Sequence, residues 1–455
     1  MKNKAQFLIL LLASFLLIDS GLAQTLKSTR ISGSITVDER LDNTGDYSGI
    51  SVHIVDIGGP RGIDTLFSAI TNIDGTFSGT ARFRNKGEFT ASISRYGIPL
   101  AATALILAPN DPVTLTGQLP NFDDTVEIKS KEHGAMNTYQ RVERNYNRIV
   151  DFINSGAVEV TQDTIPVIIN TWSDLFWSVR ELHPGTLAAD IGTLRSVEIL
   201  AGFNDEVVLS RVRQSLADQS LYTAAKVRLG AGAKLRLQGA KPAIAFIDSV
   251  LTMRIPEEDR IVLEMESIEI KIDNGMEQEA KTRLLAFRER HKSSPSLAEW
   301  VDVMMYDIEH LFPGLPAPSF SLQLHRGGRV QNQDLLGKTV LIEIANFASQ
   351  AYQTENTLLG LLYESFKDRN FEIVTIPIHD SRVTVNAFVQ DRNIPWPVVS
   401  AGQFNSADII QKFNLTVIPT RILIAPDGTI IRKYSGTNFA IIQNDILRIL
   451  EEEEL

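Results

Sequence analysis

The feature that most restricts the fold of this chain is the segment "HLFPGLPAPSF" at residues 310–320 and the pattern after it. Its closely spaced Pro and Gly residues cannot continue a helix. Beyond it, the apolar runs "VLIEIANF" and "FEIVTIPI" predict strands, with helices at about 350–368 and 382–391. "RILIAP" and "TIIRKYSG" predict a hairpin across Asp427-Gly428, before the helix "FAIIQNDILRILEEEE". A βαβ unit followed by a ββα unit predicts an α/β domain with a mixed sheet at residues 315–455.

Two further domains are predicted before this segment. Residues 28–128 consist of short alternating runs such as "RISGSITV" and "VTLTGQL", separated by turn residues, which predicts an antiparallel β-sandwich. In residues 130–312 the apolar side chains recur three and four positions apart, which predicts an all-α domain of about seven helices. A tetratricopeptide-like array is an open alternative there, although no sustained 34-residue period is present.

The first 23 residues predict an export signal. Lys2 and Lys4 precede the apolar run "FLILLLASFLLI", and the small-residue exit Gly21-Leu22-Ala23 precedes Gln24. The alternative is an uncleaved anchor helix, but the apolar run is shorter than the ~20 residues that usually span a bilayer. We therefore expect no stable membrane span after signal cleavage.

Charge and composition exclude several classes of function. The net charge of -11 is unfavourable for binding nucleic acid. The sequence contains no cysteine, although exported proteins can form disulfides, so neither disulfides nor thiol chemistry are available. The seven histidines lack His-x-x-x-His or Glu-x-x-His spacing. The sequence therefore predicts no metal site and no cofactor.

Residues 315–455 resemble the TlpA-like branch of the thiol-disulfide oxidoreductases, which have a thioredoxin-like fold. The resemblance rests on "LPAPSFSLQLHRGGRVQNQDLLGKTVLIEIANF" and on "TVIPTRILIAPDGTIIRKYSG". In the second segment Pro419 stands where the family has a cis-proline that faces the active site. The preceding sandwich is similar to domains found before such modules in exported proteins of Gram-negative bacteria. The resemblance therefore implies a location in the periplasm or cell envelope.

The catalytic motif of that family is not preserved. Against its Trp-x-x-x-Cys-x-x-Cys-x-x-Glu pattern, Ser349 takes the place of the first cysteine and Tyr352 that of the second. Glu355 matches the acidic position, while Asn346-Phe347-Ala348 replace the aromatic positions before the motif. The resemblance thus implies the fold but not the activity, and we predict no catalytic residue here. We expect the ring of Tyr352 to fill the space of the missing cysteine.

Two hypotheses remain for Ser349. In the first, Ser349 acts as a nucleophile with His379 and Asp380, which follow the neighbouring strand and would lie at the same sheet edge. No Gly-x-Ser-x-Gly elbow or oxyanion hole supports this hydrolase hypothesis. In the second, Ser349 caps the helix that follows it, a position that Ser favours.

The sequence favours a non-catalytic role in binding a protein or peptide, or in scaffolding. The retained Pro419 loop could bind an extended peptide by backbone hydrogen bonds without any thiol. The alternatives are an enzyme of thiol-disulfide oxidoreductase descent, the Ser349 hydrolase, and a redox-inactive partner in an oligomer with a cysteine-bearing paralogue. A relic domain kept only for stability is a further alternative.

Overall fold

The computed structural model describes residues 26–59, 62–157, 161, 163–216, 221–436 and 439–452. The predicted export signal at residues 1–23 lies outside the described residues. The chain divides into two compact units between Leu263 and Glu264. This division differs in place from the domain boundaries expected from the sequence, which stay a prediction.

The first unit begins with two four-stranded sheets that enclose one apolar core. Alternate side chains of each strand point into this core. Ile31 and Ile35 in the first strand and Val52 and Ile54 in the second are buried. One sheet has the order β4-β1-β7-β8 and the other β3-β2-β5-β6. The strands are β1 Lys27–Val37, β2 Ile50–Gly59, β3 Gly62–Ile70, β4 Thr76–Phe83, β5 Gly87–Arg95, β6 Ile98–Leu107, β7 Val113–Leu119 and β8 Glu127–Lys129, with a helical turn α1 at Phe122–Thr125.

The sandwich departs from a purely antiparallel one at a single pair of strands. β1 and β7 run parallel, with Ile31 opposite Val113, whereas the other pairs in both sheets are antiparallel. These two strands are far apart in the chain, so no hairpin turn imposes an antiparallel pairing on them.

The middle of the chain is helical, as predicted, but contains nine helices among the described residues rather than about seven. Several of these helices are separated by short breaks that do not interrupt the spacing of the apolar residues. The sequence pattern therefore does not show where one helix ends and the next begins. The helices are α2 Lys131–Asn154, α3 Thr164–Leu182, α4 Leu187–Leu200, α5 Asp205–Ser215, α6 Thr223–Gln238, α7 Ala240–Leu251, α8 Glu257–Asp273, α9 Glu277–Arg290 and α10 Pro295–His310.

The start of α2 is fixed to the sandwich by hydrogen bonds. The carboxylate of Asp111 accepts from the backbone N–H groups of Lys131 and Glu132 at 2.9 and 3.0 Å. The half-buried His133 accepts from the backbone N–H of Ile106 through Nε2 at 3.3 Å. This acceptor role requires Nε2 to be unprotonated. The sandwich and the helices of the first unit are therefore joined through a neutral imidazole.

This junction makes the first unit sensitive to acid. Burial lowers the pKa of His133 from 6.5, with Asp111 opposing part of the shift. The unfolded chain therefore takes up the proton more readily, so the stabilising contribution is complete above pH ~6.5 and is lost as the pH falls below it. We expect the free energy of unfolding to fall more between pH 7 and pH 5 in the wild type than in His133→Gln, measured by urea denaturation. His53→Gln serves as control, and equal pH dependence of all three proteins would contradict this assignment.

The second unit contains the predicted α/β domain. Its main sheet has the order β12-β11-β13-β14, in which β11 and β12 are parallel and the other two pairs antiparallel. Apolar clusters cover both faces of this sheet. The elements are β9 Ser321–Gln323, β10 Arg329–Gln331, β11 Thr339–Ala345, α11 Gln350–Phe366, β12 Phe371–Pro377, α12 Arg382–Asp391, α13 Ser406–Lys412, β13 Thr420–Ile424, β14 Ile430–Ser435 and α14 Phe439–Glu452.

The βαβ and ββα units predicted from the sequence are confirmed. The short α13 was not predicted, because seven residues show too little of a helical period. Among the described residues, no helix has the length and apolar character needed to cross a membrane.

The helices before the α/β domain are tied to its last strand, β14. Lys433 of β14 donates to both carboxylate oxygens of Asp307 in α10 at 2.8 and 2.9 Å. The adjacent Arg432 donates to Asp273 at 2.7 Å and to Asp445 at 3.2 Å. Burial lowers the pKa of Lys433, and the carboxylate of Asp307 offsets part of that shift. The cations of this strand therefore pair with carboxylates of the preceding helices and, for Arg432, also with Asp445 of the following helix α14.

Candidate functional site

The candidate site lies where β11 and β12 end side by side. The two parallel strands are in register from Thr339 opposite Phe371 to Ala345 opposite Pro377. The backbone N–H of Ile378 still donates to the carbonyl of Ala345 at 2.8 Å. The loop that leads into α11 and the loop that begins α12 therefore meet at one sheet edge, as the sequence predicted.

Asp380 fixes the loop that precedes α11. Its carboxylate accepts from the backbone N–H of Phe347 at 2.8 Å and also from the backbone of Ala348. Burial raises the pKa of Asp380, and those two N–H groups together with His379 hold the increase back. An internal carboxylate thus already occupies the N–H groups of this loop.

The proposed triad of Ser349, His379 and Asp380 is not assembled. The Asp380 carboxylate bonds to the backbone of the loop, and the neighbouring His379 is exposed with φ at 62°. Among the described residues, none donates to or accepts from the hydroxyl of Ser349. The geometry therefore gives the hydrolase hypothesis no support.

Ser349 holds the N-cap position of α11 but does not cap the helix with its side chain. Ser381, at the start of α12, does so by accepting from the backbone N–H of Thr384 at 3.0 Å. The position expected for Ser349 is therefore present, without the expected hydrogen bond.

This difference between two serines of one domain can be measured. We expect Ser381→Ala to lower the free energy of unfolding by about 1 kcal/mol, because a cap is lost. We expect Ser349→Ala to change it by less than about 0.5 kcal/mol, as for an ordinary surface substitution. Urea denaturation of both variants gives the comparison. A loss of about 1 kcal/mol in Ser349→Ala would show that its hydroxyl caps α11 in solution.

Tyr352, at the position of the second cysteine, is completely buried in the first turn of α11. Its ring stacks on Phe347, with centroids 5.4 Å apart and planes 9° apart. Phe347 in turn stacks on Phe388 of α12 at 4.6 Å. Three aromatic rings thus close the space beneath the loop.

The phenol of Tyr352 joins a network of buried polar groups. It donates to Oε2 of Glu343 at 2.8 Å, and the hydroxyl of Thr375 donates to the same oxygen at 2.9 Å. Trp396 donates from its indole nitrogen to Thr375 at 2.9 Å. Glu343 and Thr375 have no exposed surface, so these hydrogen bonds replace the water that the groups lose on folding.

Arg421 supplies the positive charge of this network. It donates from Nε to Glu343 at 3.0 Å and from Nη2 to Glu355 at 2.8 Å, and it is completely buried. Burial alone would lower the pKa of Arg421, but the two carboxylates more than compensate and raise it. The site therefore encloses one guanidinium between two carboxylates, one of which is the Glu355 expected from the family pattern.

The network keeps Tyr352 protonated. Burial, with the charge of Glu343 and its hydrogen bond, raises the pKa of Tyr352 well above its usual value of 10. A phenol that donates permanently to a carboxylate cannot act as a base or nucleophile near neutral pH. Its position indicates a role in holding α11 to β11.

The loop opposite the start of α11 contains Pro419. The Ile418–Pro419 bond is cis, in agreement with the family position given to this proline. Val417, just before it, is 42% exposed. Among the described residues, none accepts a hydrogen bond from the backbone N–H of Val417 or Ile418. Free N–H groups beside an exposed apolar side chain can bind a further extended chain.

Glu343 and Arg421 were missed by the sequence analysis. Each is a single charged residue inside an apolar strand, in "VLIEIAN" and "TRILIAP". Opposite charges on two strands predicted to be buried must pair, because an isolated buried charge is too costly. That rule was the available signal. Among the described residues there is no group of side chains suited to hold a metal ion.

Comparison with known proteins relates the second unit to redox proteins. The AhpC/TSA family matches residues 313–433. The thiol-disulfide oxidoreductase ResA of Bacillus subtilis is 25% identical over 146 residues, which cover 32% of this chain and 80% of that protein. ResA of Bacillus cereus is 25% identical over 130 residues, covering 29% and 73%. The solved thioredoxin domain of a thiol-disulfide oxidoreductase from Bacteroides vulgatus is 22% identical, covering 30% of this chain and 97% of that one, with a TM-score of 0.28.

Proposed function

We propose that the thioredoxin-like C-terminal domain of this chain, whose homologues are thiol-disulfide oxidoreductases, binds an extended protein segment without catalysing thiol exchange. The observation that carries this proposal is the replacement of the second cysteine by Tyr352, which is buried and bonded to Glu343. The 455 residues contain no cysteine, so they have no thiolate for disulfide exchange.

The binding surface is the loop before Pro419, which is accessible to a partner. Tyr352 is buried and cannot contact one. Thr416 and Val417 are exposed, and the N–H groups of Val417 and Ile418 have no acceptor among the described residues. A bound strand would accept hydrogen bonds from these N–H groups and pack an apolar side chain on Val417. Asp380 supports the loop on the other side by holding Phe347 and Ala348 in place.

The location that we propose is the periplasm or envelope of a Gram-negative bacterium. It is supported by the sequence of residues 1–23, which predicts cleavage after Ala23. Amino-terminal sequencing of the protein recovered from a periplasmic fraction should begin at Gln24. Recovery from the cytoplasm with Met1 retained would contradict export.

The binding proposal is tested by photo-crosslinking at single positions. A photoreactive amino acid in place of Val417 should capture a defined peptide segment from envelope extract. The same group in place of the exposed Val383 of α12 should not. The captured segment, made as a synthetic peptide, should bind the full chain. Val417→Asp should weaken that binding at least about tenfold, and Val383→Asp should leave it unchanged.

A segment that binds both variants equally well would contradict this assignment. We expect the Val417→Asp variant to fold, because the side chain of Val417 is exposed. Circular dichroism of the variant checks that it is folded. Tyr352 and Pro419 are unsuitable as test positions because both are buried.

A further inference from the structure

Strand β3 lies at one edge of the sheet β3-β2-β5-β6 and pairs with β2 alone. Just after β3, the backbone N–H of Thr71 donates to the carbonyl of Ile50 in β2 at 2.9 Å. Residues of an antiparallel pair alternate between positions that bond to the neighbouring strand and positions that do not. Counted back from Thr71, the N–H and C=O groups of Ile70 and Ser68 therefore point away from β2. Among the described residues, none forms a hydrogen bond with these outward groups, and we call this side of the strand the β3 edge.

The chain around the outward groups of β3 is uncharged. The segment from Thr65 to Ile73, "TLFSAITNI", contains no charged residue and no Pro. Ile70 is 65% exposed and Ile73 is 67% exposed. Strands at sheet edges are usually protected by charges, prolines or covering segments, because their free backbone groups are a template for pairing. An edge without these protections is suited to pair with a further strand.

The other edge strands of the sandwich carry such protections. β6, at the opposite edge of the same sheet, contains Pro99 and donates a backbone N–H to His133 of α2. β4 exposes Arg82, and the three residues of β8 include Glu127 and Lys129. Within the described part of the sandwich, the β3 edge is therefore the exception.

The main sheet of the second unit is covered at both edges by its own chain. The N–H of Thr375 in β12 donates to the carbonyl of Pro397 at 3.0 Å, and the N–H of Val399 donates to the carbonyl of Thr375 at 2.9 Å. At the other edge, the N–H of Ile430 in β14 donates to the carbonyl of Leu315 at 2.8 Å. These contacts satisfy edge groups of the kind that stay free on β3.

We propose that the β3 edge is a dimer interface, at which β3 pairs antiparallel with β3 of a second copy of this chain. Two identical antiparallel strands are related by a two-fold axis, so each outward N–H meets a C=O of the other copy. β3 is regular from Phe67 to Ile70, beyond the bulge at Leu66, which places the axis at Ala69. Ser68 of each copy then faces Ile70 of the other, and the two Ile70 side chains become diagonal neighbours on one face of the joined sheet.

Charge favours a second copy over a charged partner. The chain has a net charge of -11, but in this register the segment from Thr65 to Ile73 faces the same uncharged segment of the other copy. No like charges are then opposed along these residues. A charged partner would find no counter-charge on this segment. The inference does not depend on peptide binding at the loop before Pro419.

A proline at the outward position tests the pairing. Ser68→Pro removes an N–H that points away from β2, so the hydrogen bonds between β3 and β2 remain. The dimer loses two hydrogen bonds, one from each copy. Sedimentation equilibrium of the full chain should therefore show a wild-type dimer and an association at least about tenfold weaker in Ser68→Pro. Ser68→Lys keeps the N–H but brings two like charges together, so it should weaken association at low salt and less at high salt.

The same substitutions at Ala102 are the matched control. This exposed residue of β6 lies four positions before Ile106, whose N–H points outward to His133, so the N–H of Ala102 points outward as well. Ala102→Pro and Ala102→Lys should dimerise like the wild type, and circular dichroism checks that all four variants are folded. In the wild type, amide hydrogen exchange at Ser68 should slow as the protein concentration rises.

Several outcomes would overturn the proposal. They are a wild type that remains monomeric, a Ser68→Pro variant that dimerises like the wild type, and an Ala102→Pro variant that dissociates like Ser68→Pro. Exchange at Ser68 that is independent of concentration would overturn it as well.

Discussion

Arg421→Met is expected to destabilise the second unit by about 3–5 kcal/mol, because it leaves Glu343 and Glu355 buried without their cation. The methionine fills part of the volume but donates no hydrogen bond to either carboxylate. Since folded domains are stable by only ~5–15 kcal/mol, we expect a large fall in the urea midpoint of the second unit. Fluorescence of Trp396, which belongs to the same network, reports the transition.

The rescue variant separates charge from packing. Adding Glu343→Gln and Glu355→Gln to Arg421→Met removes the uncompensated charges and should recover much of the lost stability. Arg329→Met, at an exposed position of β10, should change stability by less than about 0.5 kcal/mol. If Arg421→Met were as stable as this control, the two carboxylates would have to be hydrated. That result would contradict the description of the network as completely buried.

Restoring both cysteines is expected to be the second most disruptive change. Ser349→Cys with Tyr352→Cys removes a completely buried ring, and losses of about 3–5 kcal/mol are typical when a large aromatic side chain is truncated in a core. Glu343 also loses the phenol as a hydrogen-bond donor. We therefore expect a weakly stable protein whose insulin-reductase activity is limited by the fraction that remains folded.

Comparison with the two single variants shows which substitution causes the loss of stability. Ser349→Cys should be close to the wild type in stability, because the serine hydroxyl makes no hydrogen bond to a described residue. Tyr352→Cys should account for nearly the whole loss. A double variant that is fully active and as stable as the wild type would mean that Tyr352 is a replaceable filler.

Regular patterns made much of the second unit predictable. The alternation of strands and helices after residue 320 gave the order of β11, α11, β12 and α12, and the parallel pairing of β11 with β12 followed from it. The meeting of the two loops at one sheet edge followed as well. The family pattern located Ser349, Tyr352 and Glu355 at the start of α11.

The chemistry between these elements was less predictable. Glu343 and Arg421 are 78 residues apart, and no local period relates them. The hydrogen bonds of Asp380 to the loop depend on the φ of 62° at His379, which turns the chain after β12. Propensity alone favours a cap by Ser349, whereas in the folded protein its hydroxyl makes no such bond. Pairings over long distances in sequence decided these contacts.

The ties between β14 and the preceding helices affect how this domain can be inherited. A thioredoxin-like domain is commonly treated as an independent domain that begins after the proline-rich segment. Such a domain could be transferred between genes by recombination at that segment. Here Lys433 and Arg432 need Asp307 and Asp273, which lie upstream of that segment. A recombination event there would remove the carboxylates of Asp307 and Asp273, leaving Lys433 with the carbonyl of Asn414 and Arg432 with Asp445. A piece cut at the proline-rich segment would therefore lose two of its ion pairs, whereas the whole second unit from Glu264 keeps them.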